Sequence, residues 1–340
     1  MNHLQTSAAK RGFTLVELIV AMAITIIIVG VLVSVTSIAT DTWNRSRSEL
    51  RASRQAKGMI DAIARDLEGL VVRRDNFNEW LSCEVDADLN ELGANMKSTN
   101  AARMAFFTAV TDRYDGKLGT SDDNGGDISC VDYKLEYKDP LDNSDDGSEF
   151  KTFVLKRLIV NPDDAFADLL GETDMAEAIK GENNKNISLR DILSKPTLPY
   201  LKDVEKPENF VCENIYQFTI SFAVEVRPTG SSSVEPVTLT ISNTESDVDG
   251  ISLTGGGIVL KVGGKYAPPD FTMKSDTGMG ITREEILRGQ LKSFQISITV
   301  LSDMGIDQLR RRTFSDKDKQ TEFLAKHSYQ YSKLVQLPSM

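Results

Sequence analysis

From Leu18 to Ala39 the chain carries no charged residue and no proline. With residues 13–17 in front of it, this stretch is long enough to cross a bilayer as one helix, for which about 20 apolar residues suffice. A helix that is apolar all round cannot lie on a soluble surface; it has to meet lipid, partner helices or a core. Its flanks narrow the choice. A secretory signal places a small-residue cleavage site after the apolar run. Here Lys10, Arg11 and Gly12 come before it, and an acid, Glu17, sits near its start. A carboxylate in a membrane helix is costly, which makes Glu17 a functional residue by default.

Residues 10–17 read Lys-Arg-Gly-Phe-Thr-Leu-Val-Glu. The run resembles the N-terminal signature of type IV prepilins: basic residues, then Gly, Phe, Thr, Leu and a Glu shortly after the cut. The resemblance covers Lys10 to about Leu32. It implies that a prepilin peptidase cuts between Gly12 and Phe13 on the cytoplasmic side, and that the new amine of Phe13 is N-methylated. Gly12 suits a cut site physically, because the missing side chain lets a protease approach the backbone closely. The resemblance also supplies a partner for Glu17, the positively charged amine of Phe13 on a neighbouring subunit. In a low-dielectric helix bundle that pair favours one axial register between subunits. The chain departs from many major pilins, which carry a proline in the membrane half: the first proline here is Pro140, and Gly30 is the obvious weak point of the helix.

Charge on the two sides of the apolar run gives opposed signals for orientation. Lys10 and Arg11 precede it, whereas Arg45, Arg47, Arg51, Arg54 and Lys57 follow it. The positive-inside rule alone would put the second cluster in the cytoplasm. The cleavage motif overrides it, because the peptidase has to reach Gly12 from the cytoplasm. The expected location is therefore the inner membrane, single-pass, with the remainder extracytoplasmic. The downstream basic residues then face acidic neighbours in an assembly, lipid head groups or solvent.

Helical periodicity continues past Ala39. Trp43, Leu50, Ala56, Met59, Ile60, Ile63, Leu67, Leu70 and Val71 recur mostly at three- or four-residue spacing, with charged residues between them. This is an amphipathic stripe, and Gly58 weakens it without breaking it. One helix from Phe13 to about Val72 would be roughly 90 Å long. The chain thus divides into a leader (1–12), a transmembrane assembly helix (13–39), its amphipathic extension (40–72) and a globular domain (73–340).

The globular part reads as β-rich. Apolar or alternating runs predict strands over Arg103–Thr111, Ile128–Tyr137, Phe150–Val160, Phe210–Val226, Val237–Ile241, Ile258–Val262 and Leu291–Leu301. In the last, Phe294, Ile296, Ile298 and Val300 share a face. Short helices are expected at Pro162–Leu170, Asp174–Lys180, Leu189–Leu193, Arg283–Leu287 and Asp316–Lys326. The fold class is α+β: a long N-terminal helix packed on a β-rich domain. Among pilin-like proteins the layout resembles the larger minor pseudopilins, especially the J component of type II secretion, and the Verru_Chthon cassette proteins. That likeness rests on the stretch Met59–Leu67, the domain size and a late strand ending in Leu301-Ser302-Asp303.

Composition removes other classes. The net charge is −11 and the pI about 4.9. Loss of Lys10 and Arg11 with the leader makes the chain more acidic still, so nucleic acid is not an expected partner. His3 and His327 are the two histidines, which rules out a His-rich zinc centre. Cys83, Cys130 and Cys212 form no C-x-x-C pair; in an oxidising compartment they offer one disulfide and one free thiol, with the pairing open. Acidic loops lie at Asp112–Asp127 (Asp115, Asp122, Asp123, Asn124) and at Asp142–Ser148. In the second, Asp142, Ser144, Asp146 and Gly147 match the start of a calcium loop, but Phe153 stands where the bidentate Glu belongs. Solvated acidic turns compete with calcium for this reading, and no cofactor is otherwise expected. No nucleophile motif or phosphate-binding Gly-rich loop is present, so the expected role is structural and not enzymatic. The chain is read as a minor pilin or pseudopilin whose partners are prepilin peptidase, other pilins and inner-membrane lipid. A pilus-borne adhesin is the alternative.

Overall fold

The computed structural model describes residues 14–72, 79–85, 101–109, 127–139, 151–170, 189, 193, 210–241, 259–263, 285–286, 288–312, 314 and 316–337. Helix α1 runs from Leu15 to Glu68. It ends a few residues before the expected Val72 because strand-like pairing claims the backbone there. The Val71 N–H donates to the Phe107 carbonyl and the Ala109 N–H to the Gly69 carbonyl, both at 2.9 Å, and Leu70 bridges Thr108.

The chain separates into two units, Met1–Leu50 and Arg51–Met340. In the first, every large apolar side chain from Leu15 to Ile38 is at least half exposed, and the helix is long and apolar enough to cross a membrane. Its polar residues are adapted to such surroundings. The hydroxyls of Thr25, Thr36, Thr40 and Thr42 each donate to the carbonyl four residues earlier, at 2.8–2.9 Å. The helix itself therefore satisfies these donors, as a lipid environment requires. Trp43 follows the apolar run and is 71% exposed, a position suited to a membrane–water boundary.

The second unit takes in the amphipathic end of α1 and two antiparallel sheets. A six-stranded sheet has the order β5-β4-β3-β2-β1-β8 and a four-stranded sheet the order β10-β9-β6-β7. The first is built from β1 (Glu79–Val85), β2 (Ala102–Thr108), β3 (Ser129–Lys138), β4 (Thr152–Val160), β5 (Phe210–Glu213) and β8 (Leu260–Gly263). The second holds β6 (Ile215–Val226), β7 (Glu235–Thr240), β9 (Gln290–Leu301) and β10 (Ser328–Gln336). Between β4 and β5 lies α2 (Pro162–Asp164), which runs into a π-helical turn at Ala165–Leu170; α3 (Asp303–Arg311) and α4 (Lys317–His327) separate β9 from β10.

The main core joins the buried stripe of α1 to the inner faces of both sheets. Met59, Ile63 and Leu67 meet the same apolar cluster as Phe106, Tyr133 and Phe153 of the first sheet and Phe218, Phe222 and Phe294 of the second. Each such side chain contributes roughly 1.5–3 kcal/mol on burial. The expected alternation in β9 holds: Phe294, Ile296, Ile298 and Val300 are buried. A second, smaller core covers the other face of the six-stranded sheet. There Trp80, Phe107, Cys130 and Leu158 pack with Ala165, Leu169, Leu189 and Leu193. Both faces of β2 are thus covered, and all of its residues are buried, which is why its sequence reads as a continuous run and not as an alternation. On that face Arg103 forks onto Asp132 at 2.5–3.1 Å, both side chains being nearly inaccessible.

The structure corrects several sequence expectations. The run Phe210–Val226 is two strands in two sheets. Asn214 has φ 64° between them, a left-handed conformation that Asn adopts more readily than most residues. Its side chain accepts from the Thr152 hydroxyl at 2.6 Å and donates to Asp303 at 2.7 Å. Strands β1 and β10 and helix α3 were not anticipated. Of the expected helix at Leu189–Leu193 only the two end residues are described, and the Leu193 N–H donates to the Leu189 carbonyl at 3.0 Å. The expected helix at Asp174–Lys180 lies outside the described residues.

Candidate assembly site at the helix N-terminus

Gly12 and Phe13 lie outside the described residues, which begin with Thr14, immediately before α1. Thr14 and Glu17 close a reciprocal capping box. The Glu17 N–H donates to the Thr14 hydroxyl oxygen at 3.3 Å, while Glu17 Oε2 accepts from both the N–H and the hydroxyl of Thr14 at 2.9 Å. Backbone donors that a helix start leaves unpaired are thereby satisfied, and the carboxylate sits at the end of the helix where the peptide dipoles favour negative charge. The arrangement also lessens the cost of an acid in an apolar segment, because its polar partner is on its own helix. Only Oε2 is engaged among the described residues, so Oε1 remains open to a further donor. Sequence reading singled out Glu17 but missed Thr14. The signal was there: Ser/Thr, two residues, then an acid, directly before an apolar run.

The basic residues after the apolar run are in part accounted for by the domain itself. Arg51 pairs with Glu213 and, at 3.1 Å, with Asp303; Gln55 also donates to Glu213. Lys333 of β10 reaches Asp61 of α1 at 2.6 Å, and this bond is the main cause of a lowered Asp61 pKa. The deepest polar contact of the helix is Asp66. Arg157 of β4 grips it with two bonds at 2.8–2.9 Å, the Tyr133 hydroxyl donates to it at 2.5 Å, and its backbone carbonyl accepts from Thr108 at 2.8 Å. Burial, then the charge of Asp66, pushes the Tyr133 phenol well above its usual range, so it acts as a donor.

Of the three cysteines that the sequence offered as disulfide candidates in an oxidising compartment, all are buried free thiols. Strand order explains it. Cys83 on β1 and Cys212 on β5 stand near opposite edges of the six-stranded sheet. Cys130 on β3 belongs to the other core, across the sheet from both. Strands about 4.8 Å apart put each pair beyond the Cα separation a disulfide spans, about 7 Å at most. Burial pushes Cys212 up to about 12 and raises Cys83 and Cys130 well above the usual thiol range, which leaves them protonated and unreactive.

Asp142, Ser144 and Asp146 lie outside the described residues, as does the first acidic loop apart from Asp127. Among the described residues no His, Cys, Asp or Glu group of three or more is placed to hold a metal. His327 closes α4 and packs on Phe323 with ring centroids 4.6 Å apart. Its close approach also explains Gly305, where an added Cβ would lie 2.9 Å from the Cβ of His327 and 3.1 Å from the Ser302 hydroxyl oxygen.

A long N-terminal apolar helix, capped by an acid and followed by an antiparallel two-sheet domain, is the α+β layout of a pilin-like protein. A family profile described as the prokaryotic N-terminal methylation motif matches residues 7–33. The match supports a type IV pilin-like protein that is processed by prepilin peptidase and assembles with other pilins, a class that is generally structural. Together with the apolar helix it is consistent with a single-pass inner-membrane anchor. No curated protein and no solved structure matches the chain.

Proposed function

We propose that the chain is a minor pilin or pseudopilin, a structural subunit of a type IV pilus or of a type II secretion pseudopilus. Cleavage between Gly12 and Phe13 exposes the amine that becomes methylated, and α1 then enters the assembly. The observation that carries this reading is the state of Glu17: one carboxylate oxygen held by Thr14, the other open, at the start of a helix whose apolar surface is exposed all round. A cationic Phe13 amine from a neighbouring subunit fits the open oxygen and sets the axial register. The β domain stands on the extracytoplasmic side in this reading, and its large size favours a tip or priming position among minor components.

Two measurements test it. Mass spectrometry of the membrane-bound chain is expected to find a mature N-terminus at N-methylated Phe13. Glu17→Ala is expected to leave cleavage intact while recruitment into the filament or tip complex falls severalfold in pull-downs. Normal incorporation of Glu17→Ala would remove the register role.

A further inference from the structure

Among the described residues each sheet has two edges, and three of the four are blunted. In the six-stranded sheet β5 and β8 are four-residue strands, each with a break in register against its neighbour. In the four-stranded sheet β7 carries Glu235 and Pro236. Shortness, irregularity, charge and proline are the devices that keep a sheet edge from recruiting another strand. The fourth edge, β10, has one of them, a single charge. It is nine residues long, contains no proline and pairs with β9 in unbroken register from Ser328 to Gln336. Its one charge, Lys333, is tied to Asp61.

The ladder shows which backbone groups face outward. The Leu337 N–H donates to the Lys292 carbonyl and the Ser302 N–H to the His327 carbonyl. In antiparallel pairing bonded residues alternate with non-bonded ones. Tyr329, Tyr331, Lys333 and Val335 therefore bond to β9, and Ser328, Gln330, Ser332, Leu334 and Gln336 turn their N–H and C=O groups away from the sheet. Gln330, Ser332 and Gln336 are exposed, and Leu334 is 61% exposed.

We infer that β10 is a pairing edge for β10 of a second copy of this chain, joining the two four-stranded sheets into one. The strand is complementary to itself. Antiparallel pairing centred on Ser332 uses all nine residues. It sets Ser332 against Ser332, Gln330 against Leu334 and Ser328 against Gln336 as hydrogen-bonded pairs, so every outward N–H meets a carbonyl. Tyr329 then lies against Val335, an aromatic–β-branched cross-strand pair, and Tyr331 against Lys333. No pair sets like charges together, which matters for a chain of net charge −11. Such a contact is isologous and closes at two copies. An edge of this length buries less than a stable interface of about 1,200 Å², so the pairing is weak in dilute solution. Confinement of both copies by their N-terminal helices raises the effective concentration; to that extent the inference rests on the membrane reading.

The test uses the full chain in cell membranes, with its fraction determined first and cross-linking scored in whichever fraction holds it. Ser332→Cys is expected to give a disulfide dimer on mild oxidation, because the pairing places that residue beside its own copy. Gln336→Cys alone is expected to give none, whereas Ser328→Cys mixed with Gln336→Cys gives a dimer. The native thiols, at most 1% exposed, do not compete. Adding Gln330→Pro to Ser332→Cys removes an outward N–H without touching the β9 ladder, a position where an edge strand tolerates proline; Gln330→Lys keeps the backbone intact. Each is expected to reduce the dimer about tenfold, a change worth about 1.4 kcal/mol. Absence of the Ser332→Cys dimer, equal cross-linking at Ser332 and Gln336, or indifference to both Gln330 variants would overturn the pairing. A chain found in the soluble fraction would refute the anchor instead.

Discussion

Asp66 shows how one buried acid fastens a helix to a sheet. Its carboxylate takes both arms of Arg157 and the hydroxyl of Tyr133, so the charge enters the core fully partnered. Asp66→Ala removes the carboxylate that both arms of Arg157 grip, a side chain 21% exposed, and is expected to cost about 3–5 kcal/mol in urea unfolding. Asp66→Met with Arg157→Met is expected to recover much of that loss, because no charge is then left alone. Two other carboxyls give the pH dependence opposite signs. Burial raises the Glu79 pKa despite Lys261, so the folded state holds that proton more tightly; Glu79 weakens the fold as pH rises through its folded value. Burial alone would raise Glu136 too, but Lys134, Lys156 and Lys138 outweigh it and the net shift is downward. Its contribution is present above the unfolded carboxyl value and lost as pH falls through the folded one. Urea midpoints between about pH 3 and pH 8 are expected to rise at neutral pH for Glu79→Gln and to flatten on the acid side for Glu136→Gln.

At the scale of elements, what could be read locally was read well. Strands β2, β3, β4, β7, β8 and β9 lie within a few residues of the runs that predicted them, because apolar runs bounded by turn residues report burial directly. The single run Phe210–Val226 was misread for a physical reason. Apolar residues resume at Ile215 directly after Glu213 and Asn214, and the left-handed backbone at Asn214 marks where β5 ends in one sheet and β6 begins in the other. Asn214→Val is expected to destabilise the domain by at least about 1–2 kcal/mol, since a β-branched side chain resists that conformation. Asn214→Gly keeps the backbone geometry and loses only the bonds to Thr152 and Asp303, so its denaturation midpoint is expected to lie between those of Asn214→Val and the native chain. Strand β10 escaped notice because its inward positions read Tyr, Tyr, Lys, Val. Lys333 interrupts the apolar pattern, and its partner Asp61 is remote in sequence.

For the whole molecule, the sequence by itself determined the N-terminal half of the argument. An uncharged run from Leu18 to Ala39, a basic pair and Gly12 before it, and an acid at Glu17 are local features. They specify a membrane-compatible helix and a processing signal without reference to anything distant, and the alternating runs after residue 73 add the β-rich part of an α+β layout. The tertiary structure alone decided the rest. It brought Asp66 to Tyr133 and Arg157, Arg51 to Glu213 and Asp303, and set the three thiols too far apart to bond. It also separates the chain into two compact units at Leu50, inside α1. The physical reason is the range of the forces involved. Helix formation and membrane burial depend on neighbours within a few residues, whereas ion pairs, strand order and the choice of an open edge depend on which distant segments the sheets bring together.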